Sequence, residues 1–185
     1  MATTAALIAG TGANVAGIGT TAWTNPGNIT ASDDTRATCA GAVVSNWLTA
    51  TNFTMTTLPD DAAITRLIAT VEGSYSGGTG VSITAATMIV AGAVAGNQLT
   101  LAQAFTTTDA SYSFDLLPGT VGVAITAALL KTSTTGFAIS TTGVGVTASR
   151  VDAMYLTVEY SQGFRIRVSS STNSRRLRRP LISVR

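Results

Sequence analysis

Apolar residues recur at every second position over several long segments, and a chain patterned in this way has one face of a sheet to bury. In VDAMYLTVEY (151–160), Met154, Leu156, Val158 and Tyr160 fall on one side, and Val151, Ala153, Tyr155, Thr157 and Glu159 on the other. In AITRLIATVEG, Thr65, Leu67, Ala69 and Val71 share a side against Arg66, Thr70 and Glu72, with Ile68 breaking the pattern. Successive side chains of a strand point to opposite faces, so this alternation predicts half-buried β-strands. VSITAATMIV and TVGVAITAALL, rich in β-branched residues and bounded by glycine, proline or asparagine, read as strands too.

Turn residues recur at short intervals: NPGN at 25–28, PDD at 59–61, GSYSGGTG at 73–80, AGN at 95–97, PG at 118–119 and TTG at 134–136. Many short strands with such punctuation predict an all-β fold, an antiparallel, jelly-roll-like β-sandwich in which two sheets each bury one face. CAGAVVSNWLTA (39–50) fits either a helix, with Val43, Val44, Trp47 and Leu48 at helical spacing, or a strand with a bend. Residues 1–22 are small and glycine-bearing without periodicity, and read as an arm ordered by packing against a neighbour. The sandwich is expected over 23–163 and a second arm over 164–185.

Charge separates the last segment from the rest. Up to Phe164 there are four basic residues (Arg36, Arg66, Lys131, Arg150) against nine acids, a balance of −5; from Arg165 onward there are seven arginines and no acid. The formal net charge of +2 hides an acidic body joined to a basic tail, and such asymmetry points to a charged partner. Only 11% of residues are charged, against about 25% in an ordinary soluble domain. A surface this poor in charge is expected to be covered by other subunits.

The absence of histidine and the single cysteine exclude histidine-based triads, most zinc sites and an intrachain disulfide. MATTAALIAG lacks the basic start of a signal peptide, and the longest apolar stretch, around 85–95, is interrupted by Thr87 and Gly92, short of the ~20 residues of a membrane helix. No cofactor and no membrane partner are expected.

AWTNPGNITASDDTRAT resembles a segment of tailed-bacteriophage structural proteins in which a tryptophan and an Asn-Pro-Gly-Asn turn precede an acidic residue. LPDDAAITRLIATVEG, a turn leading into a long strand, and GFAISTTGVGVTASRVDAMYLTVEY, a strand closing in tyrosine, extend the resemblance over Trp23 to Tyr160. SFDLLPG stands where an aromatic-glycine pair is expected, so the resemblance is weakest over 112–122. It implies a β-sandwich module of head decoration, head fibre or tail-associated proteins, non-enzymatic, homotrimeric, and bound to the major capsid protein or other virion subunits. It further implies a location on the virion, on the capsid surface or tail, after synthesis in the host cytoplasm. A receptor- or glycan-binding fibre domain is the alternative.

Few residues invite chemistry. Trp23 with NPGN could stack on a sugar, but a lone tryptophan beside a tight turn, with Pro26 setting φ and Gly27 or Asn28 at positive φ, reads as core. Asp33–Asp34 and Asp60–Asp61 could offer oxygens to calcium, yet calcium takes about 6–8 and neither pair lies in a spaced loop; aspartates also favour turns. Glu72, Asp152 and Glu159 are the acids inside strand-like segments, hence the candidates for a glycosidase pair. Without neighbouring histidines, tyrosine clusters or a groove signal, they read as solvent-facing strand residues or interface partners for arginine. Asp152 shares the side of Met154 and Leu156 and is expected to accept backbone or hydroxyl hydrogen bonds. Gly10-Thr11-Gly12 and Gly77-Gly78-Thr79-Gly80 lack the Gly-Lys-Ser/Thr ending of a phosphate loop. Cys39 reads as a small buried apolar residue.

The tail has the sharpest signal. FRIRV alternates Phe164, Ile166 and Val168 with Arg165 and Arg167, SSSTNS follows as a spacer, and RRLRRPLISVR closes the chain. Arg165, Arg167, Arg175, Arg176, Arg178 and Arg179 are expected to make bidentate contacts to carboxylates or phosphates. Leu177, Leu181 and Ile182 interleave the charges and favour a protein groove over nucleic acid, the competing reading of a basic coat-protein arm.

Overall fold

The computed structural model describes residues 1–41, 43–117, 123–145 and 148–162. These form an antiparallel β-sandwich of two sheets. The first is built on two strands of 15 residues, β6 (Ala62–Ser76) and β11 (Ala148–Gln162), with β9 (Ala110–Asp115) beyond β6. The other edge of β11 is covered piecewise by β1 (Ala2–Thr3), β2 (Leu7–Ile8) and β4 (Ala37–Ala40). The second sheet runs β3 (Thr11–Val15), β5 (Trp47–Thr51), β10 (Gly136–Gly143), β7 (Val81–Val90) and β8 (Ala93–Ala104).

The alternation maps onto this architecture. Leu67, Ala69 and Val71 of β6 and Met154, Leu156 and Val158 of β11 meet Leu48, Ile83, Met88, Phe137 and Ile139 of the second sheet in one core. Two β-bulges shift the count. β11 pairs Val151 with Gly73 and Ala153 with Glu72, so Asp152 is the unpaired extra residue and Val151 joins the core instead of the side of Ala153. Glu159 pairs with Arg66 and Tyr160 with Ile64, leaving Thr65 bulged and exposed while Ile64 packs on the core. An inserted residue reverses the facing of everything beyond it, which a strict period of two cannot register.

The first 22 residues are largely extended, and parts of them pair with strands of their own chain. Two short strands close the edge of β11, which would otherwise offer a row of unpaired backbone groups. The chain then crosses to the second sheet at Gly10, whose N–H donates to the carbonyls of Thr51 and Asn52 at 3.1 and 3.2 Å. A Cβ here would lie 2.8 Å from the Asn52 carbonyl oxygen, so the crossing requires glycine. Val15, at the end of β3, and Ile18 cover a second apolar cluster of Trp47, Ala85, Ile89 and Ala138 on that sheet.

Residues 39–50 adopt the bent-strand alternative, as β4 and β5 in different sheets. TVGVAITAALL departs from its strand reading: Ala127–Leu130 is one helical turn, α1, with the Thr126 hydroxyl accepting the Leu129 N–H at 3.2 Å. Ala and Leu are strong helix formers and Thr an effective cap, so the local preference prevails where no partner strand is available. NPGN forms a 3₁₀ turn over Pro26–Ile29, but the positive φ falls on Asn25 and not on Gly27 or Asn28. AGN at 95–97 is a bulge inside β8 with Gly96 at φ 74°, and the β7–β8 turn is made by Ala91 and Gly92, both at positive φ.

Candidate functional site

The densest group of interacting charges lies on the first sheet, where the loop between the 3₁₀ turn and β4 folds over β11. The Asp152 bulge anchors it. The backbone N–H groups of Asp33 and Asp34 hydrogen-bond to the Asp152 carboxylate, and Thr30 bridges to Ala153. Asp152 is 2% exposed, and its Oδ1 has no partner among the described residues. Burial raises its pKa above the ordinary value; the charge of Glu72 acts in the same direction, while the backbone donors and Arg36 act against it. Glu72, on β6, accepts from the Tyr155 hydroxyl at 3.4 Å and makes no ion pair among the described residues.

Arg36 holds the rim of this group together. Its Nη2 donates to Asp34 Oδ1 at 2.6 Å and to Asp109 Oδ2, and its Nη1 to the Asp34 carbonyl at 3.1 Å. Asp33 Oδ1 accepts the Thr35 N–H at 3.0 Å, a local turn that leaves its charge outward. Burial works against ionising Asp109, but hydrogen bonds from Arg36 and Ser74 and the charges of Arg36 and Arg150 outweigh it and hold the carboxyl below its ordinary value. Three carboxylates (Asp34, Asp109, Asp152) thus act on one guanidinium, Glu72 acts on Asp152, and Arg150 acts on Asp109.

Asp109 and Asp152 have opposite effects on stability with pH. A carboxyl lowered by folding stabilises the protein above its ordinary value of 3.8, and that contribution is lost as pH falls through the folded value. A carboxyl raised by folding contributes stability below 3.8 that is lost as pH rises through the folded value. Asp109→Asn is therefore expected to flatten the acid side of a plot of unfolding midpoint against pH, and Asp152→Asn to flatten the decline on going up from 3.8. Thermal unfolding of the wild type and both variants from pH 2.5 to 7 checks this; curves parallel to the wild type would refute the assignment.

The other candidate residues lie apart. Glu159 pairs with Arg66 at 3.2 Å, alongside Asp115 on the same guanidinium at 3.0 Å. Glu72 and Glu159 sit opposite Ala153 and Arg66 in the β6–β11 ladder; that is about 20 Å of strand, well beyond the ~5–9.5 Å between glycosidase carboxyls. Glu72 and Asp152 are brought together, but the Asp152 carboxylate is buried beneath the loop and engaged by backbone donors. Trp23 is buried, with Nε1 donating to the Asn46 carbonyl at 2.9 Å, and offers no ring to a sugar.

Asp60 pairs with Lys131, and among the described residues no group of three or more His, Cys, Asp or Glu is arranged to hold a metal ion. Cys39 is buried, which pushes its thiol pKa up. The glycines at 10–12 lie at the crossing into β3 and those at 77–80 in the β6–β7 turn, neither opening a helix. No described helix is long and apolar enough to cross a membrane. The tail residues Arg165, Arg167, Arg175, Arg176, Leu177, Arg178, Arg179, Leu181 and Ile182 lie outside the described residues.

Sequence reasoning missed Arg36 and Asp109. The run Asp33-Asp34-Thr35-Arg36 carried a local signal for a charged turn, but Asp109 is 73 residues from Arg36 and had none. No family model matches the chain, and no curated protein or solved structure matches it significantly.

Proposed function

We propose that the chain is a non-enzymatic bacteriophage virion protein. In this reading it decorates, cements or connects capsid or tail as a homo-oligomer, a trimer by the family habit, with 164–185 as a basic docking arm. The virion setting rests on the segments between Trp23 and Tyr160 that resemble phage structural proteins. The assembly part is carried by one observation, the β8 edge of the second sheet, which has no partner strand among the described residues. β8 is the outermost strand, and its 12 residues, AVAGNQLTLAQA, include no charge and no proline. Soluble proteins guard such edges with lysine, proline, short strands or bulges. Here two bulges, one around Gly96 and one between Thr100 and Gln103, are the guard, and the strand still leaves Thr100, Ala102 and Ala104 exposed.

An uncharged edge and a charge-poor surface suit a subunit whose sheets are covered in an assembly. Mass spectrometry of purified virions tests the reading. The protein is expected at a copy number matching a symmetric set of sites, and virions lacking it would refute the proposal.

A further inference from the structure

We infer that the acidic group around the 30–36 loop is a receptor for the arginine run 175–179 of a second copy of this chain. The inference rests on the docking-arm reading and specifies the surface on which the arm lands.

The surface has carboxylates that its own bases leave uncompensated. Arg36 is shared between Asp34 and Asp109, whereas Glu72 and Asp33 make no ion pair among the described residues. Asp152 lies beneath them, 2% exposed, with Oδ1 lacking a partner among the described residues. A buried carboxylate with an unpartnered oxygen is a costly arrangement that a cation above it relieves. Arg36 is engaged by Asp34 and Asp109 and Arg150 acts on Asp109, and neither makes an ion pair with Asp33 or Glu72 among the described residues. Burial and the charge of Glu72 both act against ionised Asp152, and an incoming positive charge acts in its favour.

The complementary charge lies in the tail. RRLRR places four guanidinia within five residues, and from 165 to the end there is no acid to neutralise them within the tail. Arginine forks suit rims of carboxylates in bidentate geometry. Length permits the contact. Gln162 ends β11 beside Ala62, and Asp152 lies ten residues back along the same strand, about 33 Å away at ~3.3 Å per residue. Arg175 stands thirteen positions beyond Gln162, an extended reach of about 43–47 Å, longer than that span and enough to meet a second copy. An arm from each copy landing on the acidic face of the next is a heterologous contact, which closes into a ring under cyclic symmetry.

Sedimentation velocity of the full chain at 50 and 500 mM salt tests this. Three variants are compared with the wild type: D33N/D34N/E72Q, R175Q/R176Q/R178Q/R179Q, and an equimolar mixture of these two. Asn and Gln keep the acceptors used by Thr35 and Tyr155, so folding should be retained, and thermal midpoints within error of the wild type confirm it. The wild type is expected to self-associate at 50 mM salt, each variant alone to do so about tenfold more weakly or worse, and the mixture to recover hetero-association. Unchanged self-association of D33N/D34N/E72Q, or no association in the mixture, overturns the inference. If that loop variant still enters virions while the arm variant does not, the docking-arm reading stands and only this landing surface is wrong.

Discussion

Replacing Phe137 by alanine is expected to lower the unfolding midpoint by about 6–20 °C, taking ~3–5 kcal/mol for a buried Phe→Ala change and ~2–4 °C per kcal/mol in a domain of this size. Phe137 is fully buried in β10, the central strand of its sheet, paired to β5 on one side and β7 on the other. Its ring stacks against Phe53 at 5.9 Å between centroids and meets Phe114 edge-on at 6.4 Å, so one side chain joins the two sheets. The backbone around it cannot close on the cavity: at the adjacent Gly136 a Cβ would lie 1.9 Å from the Ala50 carbonyl oxygen, so β5 and β10 already touch. Differential scanning calorimetry checks the value, with Val94→Ala, on exposed β8, expected within about 0.5 kcal/mol of the wild type. A Phe137→Ala shift under about 2 °C would show that this ring does not join the sheets.

Deleting residues 171–185 is expected to leave the unfolding midpoint unchanged within error and to weaken binding to virions lacking the protein by about tenfold or more. The described fold closes without this segment: β11 completes its ladder with β6 at Gln162, and the core residues all precede Ser161. The deletion removes five arginines, including the four of RRLRR, together with Leu177, Leu181 and Ile182. Ordering an arm costs roughly 1–2 kcal/mol of backbone entropy per residue, so it holds only where it buries apolar area and pairs its charges. The wild type should therefore bind with a salt dependence that the truncated chain loses, while the apolar anchors keep salt release incomplete. Equal affinity and equal salt dependence of the two chains would refute the docking arm. Loss of nucleic-acid binding alone would favour the basic coat-protein arm instead.

The two β-bulges show where legibility stopped. Leu67, Ala69 and Val71 and their partners Met154, Leu156 and Val158 were assigned to one face from their spacing, because the alternation is a property of a single strand. Asp152 accepts backbone N–H groups as expected, but its place as an extra residue and the facing of Thr65 were missed because a bulge is a property of two strands: nothing in VDAMYLTVEY reveals that β6 lacks a partner residue opposite position 152. That extra residue lets a charged side chain turn away from the core side of Met154, and it anchors the loop that carries Asp33, Asp34 and Arg36.

Sequence alone determined the class of fold, the acidic body and the basic tail, since alternation, turn chemistry and charge are read residue by residue. Tertiary structure alone decided the rest. Two-residue strands such as β1 and β2 are too short for any period, and exist only because the open edge of β11 is there to pair with. The helical turn at Ala127–Leu130 arises because that segment meets no ladder, so capping and propensity act unopposed. The acidic group around Arg36 is assembled from the 30–36 loop, β6, the start of β9 and β11, and no local pattern encodes a contact between Arg36 and Asp109 across 73 residues. Local preferences select the kind of element; burial and backbone pairing between distant segments determine where each charge is placed.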